Sequence, residues 1–233
     1  MIQLPLAGSG RLVTISPSKI IAVGLNYRDH VKESKTFADK LQEVPSEPVL
    51  FAKTPNVLIG PGEPIVIPGH IKSYEFDNER VDPECELAII IGKKGRHIPQ
   101  DKAFDFVLGY TCFNDVSQRN IQKSDPSGWF RGKSFDTFGP IGPVIVSHKD
   151  IGDPQALSIT CKINGVLKQS SNTGEMIFPI PVLIAYISMQ FTLEEGDIIA
   201  TGTPAGVSPI VPGDTVEVEV QGIGILKNPV TAE

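Results

Sequence analysis

Glu84 and Glu86 stand two residues apart at the head of an apolar run, Leu87-Ala88-Ile89-Ile90-Ile91. On a strand, residues two apart share a face, so both carboxylates would point the same way. Charges about 4 Å apart repel by roughly 4 kcal/mol at an effective dielectric of 20. A proton, a cationic side chain or a metal ion must relieve that repulsion, unless the pair lies on a solvated strand face. A third acid, Asp115, follows Asn114 where the apolar run 107–113 ends, a usual place for site residues. Its plainer role is to cap a helix opening at Val116. Three carboxylates make an all-oxygen ligand set, which suits Mg²⁺ or Mn²⁺, whereas imidazole and thiolate sets suit Zn²⁺.

Three further groupings carry chemistry. Lys133, between small residues in Arg131-Gly132-Lys133-Ser134, could reach an anionic ligand, or could be a solvated turn lysine. His30 and Glu33 share a face if residues 27–42 are helical, so Glu33 could orient His30 as a general base acting on water. The ordinary alternative is a surface pair. Thr201-Gly202-Thr203-Pro204-Ala205-Gly206 follows an apolar strand, and its small residues would let backbone N–H groups approach a ligand carboxylate; a plain turn fits as well.

The elements that must position these groups are mostly strands. Gly (22) and Pro (20) are abundant in the 233 residues, which points to many turns rather than a helix bundle. A buried strand is expected at 20–23, extended structure at 49–52, and further strands at 86–91, 106–114 and 143–147. Residues 157–163 alternate apolar with polar and run into Asn164-Gly165, a hairpin turn. A half-exposed strand is expected at 216–220. Residues 181–191 form the best helix, apolar nearly all round, and so buried or at a subunit contact. The fold class is mixed α/β and β-rich, with few helices. A short N-terminal segment, 1–17, precedes a domain over 18–233.

Composition narrows the function. The net charge is −6, with no Lys/Arg block, which disfavours nucleic-acid binding. Three scattered cysteines give neither a disulfide framework nor a zinc knuckle, in keeping with a reduced, cytoplasmic setting. No apolar run approaches the ~18–20 residues that span a bilayer, and no secretory signal is visible. Neither a nucleic acid nor a membrane is an expected partner.

Taken together the motifs resemble the fumarylacetoacetate hydrolase family, in its short members that act on acylpyruvates or oxaloacetate. The matching stretches begin with Gly24-Leu25-Asn26-Tyr27-Arg28-Asp29-His30, Pro48-Val49-Leu50-Phe51-Ala52-Lys53 and Glu84-Cys85-Glu86-Leu87-Ala88. They continue with Gly109-Tyr110-Thr111-Cys112-Phe113-Asn114-Asp115, Lys133-Ser134-Phe135-Asp136, Met176-Ile177-Phe178 and Thr201-Gly202-Thr203-Pro204. Each is modest alone, but their order and spacing are specific, over roughly residues 18–230.

The resemblance implies a rolled, mixed β-sheet core and a homodimer. It implies Mg²⁺ or Mn²⁺ on Glu84, Glu86 and Asp115, and catalytic roles for His30, Glu33 and Lys133. Gln122, Thr203 and Arg119 fall at substrate-binding positions. The implied reaction proceeds through a metal-stabilised enolate of a 2-oxo acid, foremost hydrolysis of acylpyruvates to pyruvate and a carboxylate. Isomerisation or decarboxylation of 2-hydroxyhepta-2,4-diene-1,7-dioate, and decarboxylation or tautomerisation of oxaloacetate, share that enolate and stay open. So does a non-catalytic binding module. Two departures stand out: 34–46 is longer than in the shortest relatives, where a lid is expected, and Asn120 replaces an acid that many relatives carry after Arg119.

Overall fold

The structure, a computed structural model, describes residues 1–33, 44–126 and 128–233. The expected lid, 34–46, lies outside the described residues except for its last three. The strands in chain order are β1 (Ile2–Leu6), β2 (Arg11–Ile15), β3 (Ile20–Gly24), β4 (Val49–Lys53), β5 (Leu58–Ile59) and β6 (Ile65–Ile67). Then come β7 (Val81–Asp82), β8 (Cys85–Ile91), β9 (Val107–Asn114), β10 (Ser117–Gln118) and β11 (Gly139–Ser147). The last are β12 (Ser158–Ile163), β13 (Val166–Asn172), β14 (Ile198–Ala200), β15 (Thr215–Val220) and β16 (Gly224–Ala232). Four α-helices are described: α1 (Arg28–Glu33), α2 (Arg119–Ser124), α3 (Phe130–Lys133) and α4 (Ile180–Gln190).

A nine-stranded sheet runs β2-β1-β11-β9-β8-β14-β3-β4, with β5 added on β11. It mixes directions: β1 and β5 pair parallel with β11, and β14 pairs parallel with β3, while β8 is antiparallel to both β9 and β14. A second sheet has the order β13-β12-β15-β16-β6, and β7 pairs with β10 alone. The fold is strand-rich and mixed, as its composition and motifs foretell.

The central strand β8 is buried along its whole length, which its unbroken apolar run requires. Its side chains divide by parity. Cys85, Leu87, Ile89 and Ile91 enter a large cluster shared with Ile159 and Cys161 of β12 and Val216, Val218 and Val220 of β15. Ala88 and Ile90 enter a smaller one with Ile20, Ala22, Phe113 and Ile198. Helix α4 begins at the proline pair Pro179 and Pro181 and buries Ile180, Leu183, Ile184 and Ile187 in the larger cluster, while Met189 stays exposed. It is therefore one-sided rather than buried all round.

Two of the plainer alternatives do not hold. The helix after Asp115 starts at Arg119, because Val116 is followed by β10, and its cap is Gln118, whose side chain accepts from the Ile121 N–H at 2.8 Å. Lys133 is not in a solvated turn: it ends α3 and is 2% exposed. The N-terminal hairpin β1–β2 joins the large sheet through Leu6 opposite Ile145 of β11.

Candidate active site

The site lies where several strands end. Glu84 and Glu86 flank the start of β8, and Asp115 follows the end of the adjacent β9. Register fixes this: Cys85 pairs with Asn114 and Glu86 with Phe113. Asn114 Oδ1 accepts the Glu84 N–H at 3.0 Å, and the Asp115 N–H donates to the Glu84 carbonyl at 2.9 Å. One carboxylate oxygen from each of Glu84, Glu86 and Asp115 lies within 4.8 Å of the others, and all three residues are buried.

Cations answer two of the three. Lys133 Nζ bonds Glu84 Oε2 at 2.5 Å and Asp115 Oδ2 at 2.6 Å. Arg119 Nη2 bonds Glu84 Oε1 at 2.6 Å. Burial opposes charge on Glu84, but Lys133 and Arg119 outweigh it and hold the carboxyl well below its ordinary range. Burial likewise opposes charge on Lys133, and the two carboxylates outweigh it, so its ammonium is stabilised.

Asp115 has a second partner, Lys53, whose Nζ bonds Oδ1 at 2.6 Å and also donates to the Lys133 and Val116 carbonyls. Lys53 comes from β4, the outer strand of the sheet, four pairing steps from β9. Laid flat, four steps of about 4.8 Å would span roughly 19 Å. The ion pair is therefore a direct measure of how far the sheet rolls. Burial pushes the Lys53 pKa down, and Asp115 only partly restores it.

Glu86 differs. Among the described residues its carboxylate accepts one hydrogen bond, from the Gly202 N–H at 2.9 Å to Oε2, and no cation pairs with it. Burial, then the charges of Asp115 and Glu84, push its carboxyl well above the ordinary range. A hard divalent ion would remove both causes at once, and an all-oxygen donor set is what Mg²⁺ or Mn²⁺ takes. The residues present therefore fit such an ion.

Glu84, Glu86, Asp115, Lys133, His30, Arg119, Gln122 and Thr203 all line one cavity of about 320 Å³. Glu33 stands behind His30: His30 Nδ1 is 3.3 Å from Glu33 Oε2. The Gly206 N–H donates to both Glu33 oxygens, at 3.1 Å each. Arg119 also bonds Asp82 through Nε at 2.7 Å and Gln122 Oε1 through Nη1 at 3.0 Å. That contact fixes the Gln122 amide with its NH₂ group as the remaining donor. Val23, Leu25, Phe51 and Trp129 add an apolar part to the lining, and Lys123 and Asp125 a charged one. Trp129 meets Phe51 edge to face at 5.3 Å and lies so close to Gly24 that a Cβ there would collide with the indole.

Residues 19–231 match the fumarylacetoacetate (FAA) hydrolase C-terminal family. The chain belongs to the fumarylacetoacetate hydrolase family. This family member is 39% identical to the mitochondrial oxaloacetate tautomerase of Rattus norvegicus, over 98% of this chain and 72% of that one. Among solved structures it resembles the 5-carboxymethyl-2-hydroxymuconate delta-isomerase of Mycobacterium smegmatis, with 40% identity, a TM-score of 0.81, and 97% and 86% of the two chains covered. It also resembles the maleylpyruvate hydrolase of Sphingobium sp. SYK-6 in complex with manganese(II) and pyruvate, with 35% identity, a TM-score of 0.77, and 93% and 71% covered. The chain is thus an enzyme of a fumarylacetoacetate hydrolase fold whose relatives include a hydrolase, an isomerase and a tautomerase.

Three features of the site were not singled out in the sequence of this fumarylacetoacetate hydrolase family member. Lys53 sits in a quoted motif without a role; its signal is a lysine at the end of an apolar strand that must be buried. Asp82, fully buried under Arg80 and Arg119, reads as one more loop acid. Gln169 lies in a strand that is mostly polar and exposed. The Thr201–Gly206 segment, singled out for its backbone N–H groups, directs those of Gly202 and Gly206 to the protein's own carboxylates, Glu86 and Glu33. Among the described residues no helix is long and apolar enough to cross a membrane.

Proposed function

We propose that the protein is a divalent-cation-dependent enzyme of 2-oxo acids that works through an enolate, and that it hydrolyses the C–C bond of acylpyruvates to pyruvate and a carboxylate. The observation that carries this reading is that the carboxylate triad and His30, with Glu33 behind it, face one cavity. The manganese- and pyruvate-bound hydrolase relative supports it. A small-molecule substrate, a homodimeric assembly and a cytoplasmic setting belong to the same proposal.

Glu84, Glu86 and Asp115 would hold Mg²⁺ or Mn²⁺. When bound, such an ion supplies Lewis-acid charge beside a developing enolate oxygen. Lys133, already an ammonium among carboxylates, adds a second positive charge there. Gln122 and Thr203 bind the carboxylate end of the substrate, with Arg119 fixing Gln122. Glu33 only accepts hydrogen bonds, so His30 carries its proton on Nδ1 and keeps a basic Nε2. That nitrogen takes a proton from water as the water attacks the distal carbonyl. The C–C bond then breaks, its electron pair moves into the pyruvate enolate, and a proton returns to C3. Val23, Leu25, Phe51 and Trp129 provide an apolar wall for the acyl group.

The tautomerase and isomerase relatives favour a second reading, in which the same residues stabilise the enolate and only a proton moves. A coupled pyruvate assay across acylpyruvates and oxaloacetate, with and without EDTA, run beside ultraviolet monitoring of the oxaloacetate enol, decides between them. Chelator-sensitive pyruvate release from acylpyruvates is the expected result. Ketonisation or decarboxylation without acylpyruvate cleavage would select the second reading. No turnover of either class would refute both.

A further inference from the structure

Gln169, in β13, is 1% exposed and lies outside the cavity lining, yet it joins two walls of the site. Its Oε1 accepts the Cys85 N–H at 3.0 Å, and Cys85 is the residue between Glu84 and Glu86. Its Nε2 donates to Thr203 Oγ1 at 2.7 Å and to the Pro204 carbonyl at 2.8 Å. Both amide protons are used. Reversing the amide would set carbonyl against carbonyl and N–H against N–H, so a single orientation is enforced.

The segment held by Nε2 contacts the rest of the machinery as well. Its Gly202 N–H binds Glu86, and its Gly206 N–H binds Glu33. Gly206 has φ +102° and lies against β13 so closely that a Cβ would collide with the Lys168 carbonyl oxygen. Gly206 is thus seated on the Lys168–Gln169 backbone, and the Gln169 side chain ties Thr203 and Pro204 to β8.

We propose that Gln169 is a positioning residue that sets the spacing between the Glu84–Glu86 carboxylates and Thr203, so that a divalent cation and a 2-oxo acid are held in register. This rests on the function proposed above. A Gln169 that merely satisfies buried polar groups would affect folding alone. One that positions the site must change two affinities and must act on the 2-oxo acid through Thr203.

The test is titration calorimetry on the full chain, with Mn²⁺ added to metal-free protein and then pyruvate to Mn²⁺-loaded protein. Gln169→Leu should weaken both, each by about tenfold, the scale of one lost hydrogen bond. Thr203→Val should weaken pyruvate binding and leave Mn²⁺ binding as it was. The double variant should bind pyruvate no more weakly than Gln169→Leu alone. If Gln169→Leu does not fold, Gln169→Glu keeps the acceptor for the Cys85 N–H and loses the donors, so it should weaken pyruvate binding alone. Wild-type affinities in a folded Gln169 variant, or additive losses in the double variant, would overturn the inference and leave the proposed function standing. A wild-type protein that binds neither Mn²⁺ nor pyruvate would instead overturn the function, and this inference with it.

Discussion

Gly206 donates its backbone N–H to both carboxylate oxygens of Glu33, at 3.1 Å each. The grip is electrostatic as well as geometric. Burial opposes charge on Glu33, but the His30 ring and the Gly206 N–H outweigh it, and the carboxyl pKa falls below 4.5. A depressed carboxyl stabilises the fold above its unfolded pKa and loses that contribution as pH falls through the folded value. The stability gap between wild type and Glu33→Gln should therefore be full above pH 4.5 and close below it. Denaturation at a series of pH values measures the gap. A gap that widens in acid would contradict the assignment. Because the Glu33 side chain is one-third exposed, the gap will be small.

Lys53 is the structural cation of the centre, and Lys133 is the one that faces the cavity. Lys53→Met should leave Asp115 Oδ1 without its partner in a fully buried place, at a cost of about 3–5 kcal/mol. Urea denaturation measures it. A loss under about 1 kcal/mol, the size of an exposed pair, would show that the Lys53–Asp115 contact is not formed.

His30→Ala separates the reactions that share the enolate. Loss of a positioned general base lowers rate by about 10²–10⁴-fold. Acylpyruvate hydrolysis should fall in that range, while oxaloacetate decarboxylation, which needs no attacking water, should fall much less. Equal losses in parallel steady-state assays would remove His30 from water activation.

Trp129 is the chain's sole tryptophan, and it lines the cavity. Its emission should change on titration with an acylpyruvate and hold steady with an apolar molecule too large to enter. Unchanged emission at saturating substrate would place the acyl group elsewhere. The same indole packs on Gly24, so Gly24→Ala should shift the emission of the free protein.

Much of this was legible in the sequence, for identifiable reasons. Glu84 and Glu86 are local: strand periodicity alone gives their common face, and the apolar runs behind Glu86 and before Asp115 announce strand ends. His30 and Glu33 are likewise one helical turn apart. The partners that define the site's charge are not local. Lys53 meets Asp115 across 62 positions and only because the sheet rolls, and Gln169 meets Cys85 across 84. The Gly202 and Gly206 contacts arise from the backbone. The helix after Asp115 opens later than the pattern from Val116 suggests, because Gln118, rather than Asp115, accepts the capping bond.

In the proposed function three buried carboxylates gather one hard divalent ion. Calorimetric titration of metal-free protein with Mn²⁺, comparing wild type with Asp115→Ala and Glu86→Gln, reads that binding itself. One Mn²⁺ per chain in the wild type, lost in both variants that still melt cooperatively, is the predicted result. Binding that is absent from the wild type, or unchanged in the variants, would contradict it.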